Sequence, residues 1–96
     1  MSKLPAAYIM ASERNGTIYT GVTSDLVRRV HQHREAVIDG FTTRNGCKLL
    51  VFYEVHGSMI EAIAREKQIK GGSRKKKLAL IEAMNPTCRD LYPDIL

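Results

Sequence analysis

Five side chains are of the types, and at the spacings, that could act on a phosphate ester: Tyr8, Tyr19, Arg29, His33 and Glu66. A phenol has an ordinary pKa of about 10, and a nearby cation lowers it, so a tyrosine beside an arginine can shuttle a proton from an attacking water. An arginine grips phosphate oxygens and stabilises the charge that builds on them. His33 lies one helical turn from Arg29 and on the same side, within reach of the same chemistry. A lone inward carboxylate is what a single Mg2+ needs when phosphate oxygens and waters fill its other positions. Each residue also has a plainer use. Tyrosines suit strands, the stem of Arg29 can pack against the core, and Glu66 can pair with Lys70 at i,i+4 for only about 0.2–0.5 kcal/mol. The residue types alone leave both uses of Glu66 open.

The elements that must position these groups follow from pattern. Residues 6–12 read as a strand and 17–22 as its partner, joined at Asn15-Gly16, where a type I′ turn needs positive φ. A two-residue loop sets Tyr8 opposite Thr23, Met10 opposite Gly21 and Ser12 opposite Tyr19. Tyr8 and Tyr19 then share one face, with open space over Gly21 between them, and Ala7, Ile9, Ile18 and Val22 share the other. Ser24 or Asp25 caps a helix that runs to about residue 38 and stops before Asp39-Gly40. Its apolar stripe is Leu26, Val30 and Val37; Arg29 and His33 lie along the edge with Ala36 beside them, while Arg28 and His31 point away.

Residues 41–48 form a polar loop with a second Asn-Gly pair, Asn45-Gly46. Residues 49–55 are a strongly apolar strand, expected to be central or well covered. Ser58-Met59-Ile60-Glu61 is a capping box that opens a second helix ending at about Lys70, with Glu66 on the flank of its buried face. Gly71-Gly72 ends that helix, Ser73 caps a third reaching Met84, and Asn85-Pro86 stops it. The last ten residues carry Leu91, Tyr92, Ile95 and Leu96, able to dock on the core. The order β-β-α-β-α-α gives a small α/β domain with a three-stranded, mostly antiparallel sheet flanked by helices.

Ninety-six residues fit one domain, here residues 6–92 between tails at 1–5 and 93–96. A chain of this size buries roughly 65% of its extended surface and needs no staples. Cys47 and Cys88 are too few for a disulfide framework and lack C-x-x-C spacing. With no long apolar run and no leader, the expected location is the cytoplasm, with reduced thiols and no membrane partner. The net charge of +5 is concentrated at Lys67, Lys70, Arg74, Lys75, Lys76 and Lys77, and at Arg28, Arg29 and Arg34. Such a run can be a merely solvated face. Yet Arg74 to Lys77 sit at the positive end of a helix dipole, where cations are unfavourable, and a phosphate backbone is the simplest ligand that would want them there.

Ala7-Tyr8-Ile9 and Tyr19-Thr20-Gly21 are altered forms of a paired triad, with Arg29 ten residues and His33 fourteen residues after the second tyrosine. With the segments AREKQIKGG and NPTCRDL, these motifs make residues 6–92 resemble the GIY-YIG nuclease superfamily, in its small single-domain YhbQ/YazA-type branch. The first triad lacks its glycine, Gly72 and Cys88 stand where this branch commonly carries tryptophan, and Asn45 where a tyrosine is usual. The resemblance implies that Tyr8 and Tyr19 serve the attacking water, Arg29 stabilises the pentacoordinate phosphate and His33 assists proton transfer or positioning. Glu66 would bind one divalent metal, Mg2+ or Mn2+, and Asn85, like Gly21, would support the site. The implied function is a metal-dependent endonuclease, a phosphodiesterase acting on DNA in repair, recombination or the processing of structured or single-stranded DNA. RNA is the other nucleic acid such a surface admits, and a protein partner could supply specificity. The rival is a non-catalytic nucleic-acid-binding module, which keeps the basic patch and has no use for Glu66.

Overall fold

The run Ala-Ala-Tyr-Ile-Met-Ala forms β1 (Ala6–Ala11), and all six of its residues are buried. A strand buried on both faces must be covered on both, and β1 is accordingly the middle strand of an antiparallel sheet of order β2-β1-β3, with β2 (Ile18–Thr23) and β3 (Leu49–Val55) at its edges. The coordinates are a computed structural model that describes residues 4–13, 16–35 and 47–96. Asn15, Ala36, Val37, Asp39-Gly40, Asn45-Gly46 and the expected helical residues 36–38 lie outside the described residues. Of the two placements its composition suggested, central or well covered, β3 takes the second over part of its length and lies at an edge of the sheet. Its apolar run reflects cover over one half only: Leu50, Val51 and Phe52 are buried, while Val55 is exposed.

The register of β1 with β2 also differs from expectation. Tyr8 pairs with Gly21, Met10 with Tyr19 and Ala6 with Thr23. The cause is the connection, which Ser12 and Thr17 close: Ser12 N donates to Thr17 O at 2.9 Å and Thr17 N to Ser12 Oγ at 3.0 Å. The connection between them is therefore longer than the two residues expected, and Gly16 N donates to Glu13 O at 3.0 Å within it. Because a side chain's face repeats every two residues, this displacement by two leaves each one on its expected face.

One face of the sheet, built on Ala6, Tyr8, Met10 and Leu50, receives α1 (Leu26–Arg34) through Leu26 and Val30. Asp25 caps α1, accepting from Arg28 N at 3.3 Å. The other face, built on Ala7, Ile9, Ala11, Val51 and Phe52, is covered by Ile69 of α2 (Met59–Lys70) and Ile81 of α3 (Arg74–Met84). Ser58 and Ser73 cap these helices as their sequences suggest, accepting from Glu61 N and Lys76 N, each at 3.2 Å. The C-terminal segment returns to the α1 face and adds a short helix, α4 (Tyr92–Ile95), that the sequence reading lacked. Asp90 fastens it, accepting from Leu50 N and Tyr92 N at 3.1 Å each and pairing with Arg34. Leu91, Tyr92 and Ile95 dock, whereas Leu96 stays 66% exposed. Among the described residues no helix is long and apolar enough to cross a membrane.

Candidate active site

Tyr8 is only 2% exposed, and its hydroxyl lies 2.9 Å from Nε2 of His33. The contact arises because Tyr8 points from the central strand toward α1, where His33 belongs to the buried stripe with Leu26 and Val30 and is 3% exposed. Tyr19 completes the cluster, its ring centroid 6.5 Å from that of Tyr8 and 5.5 Å from that of His33. The space over Gly21 is not open, as the sequence suggested. A Cβ there would meet Cζ and the hydroxyl of Tyr8 at 2.6 Å and Cε2 of Tyr19 at 3.0 Å. Because the observed register puts Gly21 directly across from Tyr8, the phenol lies over the glycine and fills it.

Electrostatics in the cluster run against a simple activated phenol. Burial raises the Tyr8 pKa above its ordinary value, and the charges of Tyr19 and Glu66 raise it further, while Arg29 opposes them and is outweighed. Burial, and then the Arg29 guanidinium, lowers the His33 pKa to about 4. Both partners are therefore uncharged at neutral pH. A neutral imidazole accepts at one nitrogen and donates at the other. With the Tyr8 hydroxyl donating to Nε2, the imidazole proton sits on Nδ1, which is buried and without a partner among the described residues.

Arg29 is half-buried on α1 and lines a polar cleft of about 230 Å3 with Thr23, Ser24, Asp25, Arg28 and Gln32. Among the described residues no carboxylate pairs with it, and its charge is felt by both Tyr8 and His33. Glu66 comes from α2, which packs along β2 and β1, and is 8% exposed; its charge also reaches Tyr8. Lys70 Nζ stands 3.3 Å from Glu66 Oε2, so the i,i+4 pair is formed. Among the described residues no group of three or more His, Cys, Asp or Glu is placed to hold a metal. A single buried carboxylate still fits Mg2+ or Mn2+, ions that commonly take one or two protein carboxylates and complete their shell with phosphate oxygens and water.

The supporting residues divide. Lys67, Lys75 and Lys76 are exposed and Lys77 half-buried, whereas Arg74 Nη2 donates to Gly16 O at 2.6 Å and ties the start of α3 to the hairpin loop. That bond gives one of the four awkward cations a use within the fold. Asn85 is buried, and its hydrogen bonds go to backbone: its Nδ2 donates to Val51 O at 3.3 Å and Arg89 O at 2.7 Å, and its Oδ1 accepts from Arg89 N at 3.2 Å. It orders the turn into the C-terminal segment. Sequence reasoning missed Asp90 and the cleft residues Thr23, Ser24 and Gln32. Gln32 was within reach, three positions from Arg29 on the same helix, whereas the work of Asp90 depends on contacts distant in sequence.

Comparison with known proteins identifies the family. The family described as the GIY-YIG catalytic domain matches residues 5–79. UPF0213 proteins of Staphylococcus saprophyticus and Staphylococcus aureus are each 35% identical over 68 residues, 71% of this chain and 83% of theirs. The solution structure of a UPF0213 protein from Bacillus halodurans superposes with a TM-score of 0.51 at 32% identity, covering 82% of this chain and 83% of that one. The names of these relatives state no activity. The chain belongs to the GIY-YIG catalytic-domain family, an endonuclease superfamily whose substrates are nucleic acids and whose members generally use a divalent metal.

Proposed function

We propose that this protein is a metal-dependent endonuclease that hydrolyses phosphodiester bonds in DNA, working on structured or single-stranded substrates in the cytoplasm. The observation that carries the reading is the convergence on one buried phenol: Tyr8 is bonded to a neutral His33 and lies within the fields of both Arg29 and Glu66. Hydrolysis needs a proton acceptor for water, a cation for the phosphate and a site for the leaving oxygen's charge. Arg29, at the polar cleft, takes the scissile phosphate. Tyr8 accepts the water's proton at its oxygen while its own proton passes to His33 Nε2, so no phenolate forms. Tyr19, less buried and against both rings, holds the water in line. Glu66 is the residue that would hold Mg2+ or Mn2+, which when bound supplies positive charge for the leaving 3′ oxygen. The exposed Lys67, Lys75 and Lys76 hold neighbouring phosphates.

The test is a cleavage panel of single-stranded, nicked, flapped and branched DNA, with RNA alongside, in Mg2+ and Mn2+. Glu66→Ala and Arg29→Ala are each expected to lose at least ~10²-fold in rate, the scale of one preorganised charged contact. Salt-sensitive binding with no turnover in either metal would replace this reading with the binding module.

A further inference from the structure

Glu66 raises a question that the proposed reaction does not answer. A carboxylate withdrawn from water needs a cation close by, because a buried charge without a partner is strongly unfavourable. Among the described residues the cation at this carboxylate is Lys70, whose Nζ lies 3.3 Å from Oε2. The two partners are unequal: the side chain of Glu66 is 11% exposed and that of Lys70 61%. One end of the pair is fixed in the fold, and the other is a flexible stem standing in solvent. Because they are four residues apart on α2, the ammonium can leave and return without any movement of the backbone.

We propose that Lys70 is a built-in counter-ion that keeps the place of the metal on Glu66 and must yield it when the metal binds. This rests on the reading of Glu66 as the metal ligand. An Mg2+ or Mn2+ ion on that carboxylate would sit within a few ångströms of the ammonium, and the repulsion between the two cations drives Lys70 outward. The displaced ammonium, one helical turn from the exposed Lys67, joins the cations available to a phosphate. Metal loading and DNA affinity are thereby coupled through one side chain: the metal is bound more weakly than Glu66 alone would allow, and its arrival adds a free positive charge to the nucleic-acid surface. The basic side chain in the last turn of α2 also suits the helix dipole, but that purely structural use would leave metal affinity untouched.

Mn2+ binding to the folded protein without nucleic acid separates these roles, measured by calorimetry or by the electron paramagnetic resonance signal of free Mn2+. Lys70→Gln is expected to bind Mn2+ about 3–10-fold more tightly than the parent at low salt, the scale of removing one nearby screened charge. Lys70→Arg, which keeps the charge, should bind like the parent, and Glu66→Gln should lose the site. Equal or weaker binding by Lys70→Gln, with the loss in Glu66→Gln intact, overturns the counter-ion role and leaves Glu66 as the ligand. Binding that is absent throughout, or unchanged in Glu66→Gln, overturns both.

Discussion

Replacing Gly21 by alanine is the sharpest test of how Tyr8 is held. The added methyl would lie 2.6 Å from Cζ and the hydroxyl of Tyr8 and 3.0 Å from Cε2 of Tyr19. Tyr8 has little freedom to retreat, being fully buried and bonded to His33 at 2.9 Å. Overpacking of this kind costs about 1–3 kcal/mol. Against it stands a gain of about 0.4–1 kcal/mol from restricting the unfolded chain, which alanine collects here because Gly21 does not need a left-handed backbone. The steric term wins, for a net loss of about 1–2 kcal/mol. For a domain of this size each kcal/mol lowers Tm by about 4–8 °C, a shift that thermal unfolding resolves easily. A double-mutant cycle gives the cause: in a Tyr8→Ala background only the 3.0 Å contact with Tyr19 remains, so most of the penalty should disappear. If Gly21→Ala alone proves as stable as the parent, the phenol does not lie over Gly21 and the described site is wrong.

Two further outcomes follow from the buried polar groups. The His33 pKa is about 4 in the folded chain against about 6.5 unfolded, so between these values the unfolded state binds more protons. Stability is therefore full above pH 6.5 and falls as the pH drops toward 4, by at most roughly 3 kcal/mol at about 1.4 kcal/mol per pH unit. Urea unfolding from pH 7 to pH 4 should show this, and the slope should shrink in His33→Phe; an unchanged slope in that variant would assign the effect to other groups. Asn85→Ala removes three hydrogen bonds and leaves two backbone carbonyls and an amide to find other partners, a loss of about 2–4 kcal/mol on the scale of unsatisfied buried groups. A change below about 0.5 kcal/mol in denaturant unfolding would show that the turn relaxes without Asn85.

Periodicity and caps made most of the frame legible. Ser58 and Ser73 at helix starts, Gly71 at a helix end and the strand-forming run at residues 6–11 act within a few residues of themselves, and the structure follows them. Position in the sheet was not legible in the same way. Residues 49–55 carry more large apolar side chains than β1, yet β1 is central, because its alanines let helices and the C-terminal segment close over both faces. The hairpin register failed for a local reason: the Asn15-Gly16 signal is strong, but Ser12 and Thr17 close the loop first. At the site, helical spacing placed Arg29 and His33 on one side of α1, and face parity placed Tyr8 with Tyr19. Spacing could not say that His33 is buried in the stripe, since a stripe drawn through Leu26, Val30 and Val37 leaves His33 at its edge. Nor could it foresee a raised Tyr8 pKa, because the desolvation that outweighs Arg29 exists only once α1 closes on the sheet.

That desolvation bears on when the site becomes basic. At rest His33 is a weak base for two reasons: its burial, and the neighbouring guanidinium of Arg29. The first is fixed by packing. The second is not, because a phosphate seated on Arg29 cancels most of its field at the imidazole. In the proposed mechanism substrate binding would thus raise the proton affinity of His33, and through the 2.9 Å contact it would make the Tyr8 oxygen a better acceptor for the water's proton. In that mechanism the group that holds the phosphate and those that take the proton would be coupled by charge, without any change of shape. Arg29→Gln, which removes the guanidinium permanently, should raise the resting His33 pKa above about 4, observable as a higher pH midpoint in the NMR titration of its imidazole. Were that midpoint to stay where it is in the parent, burial alone would set the basicity of His33, and phosphate binding could not adjust it.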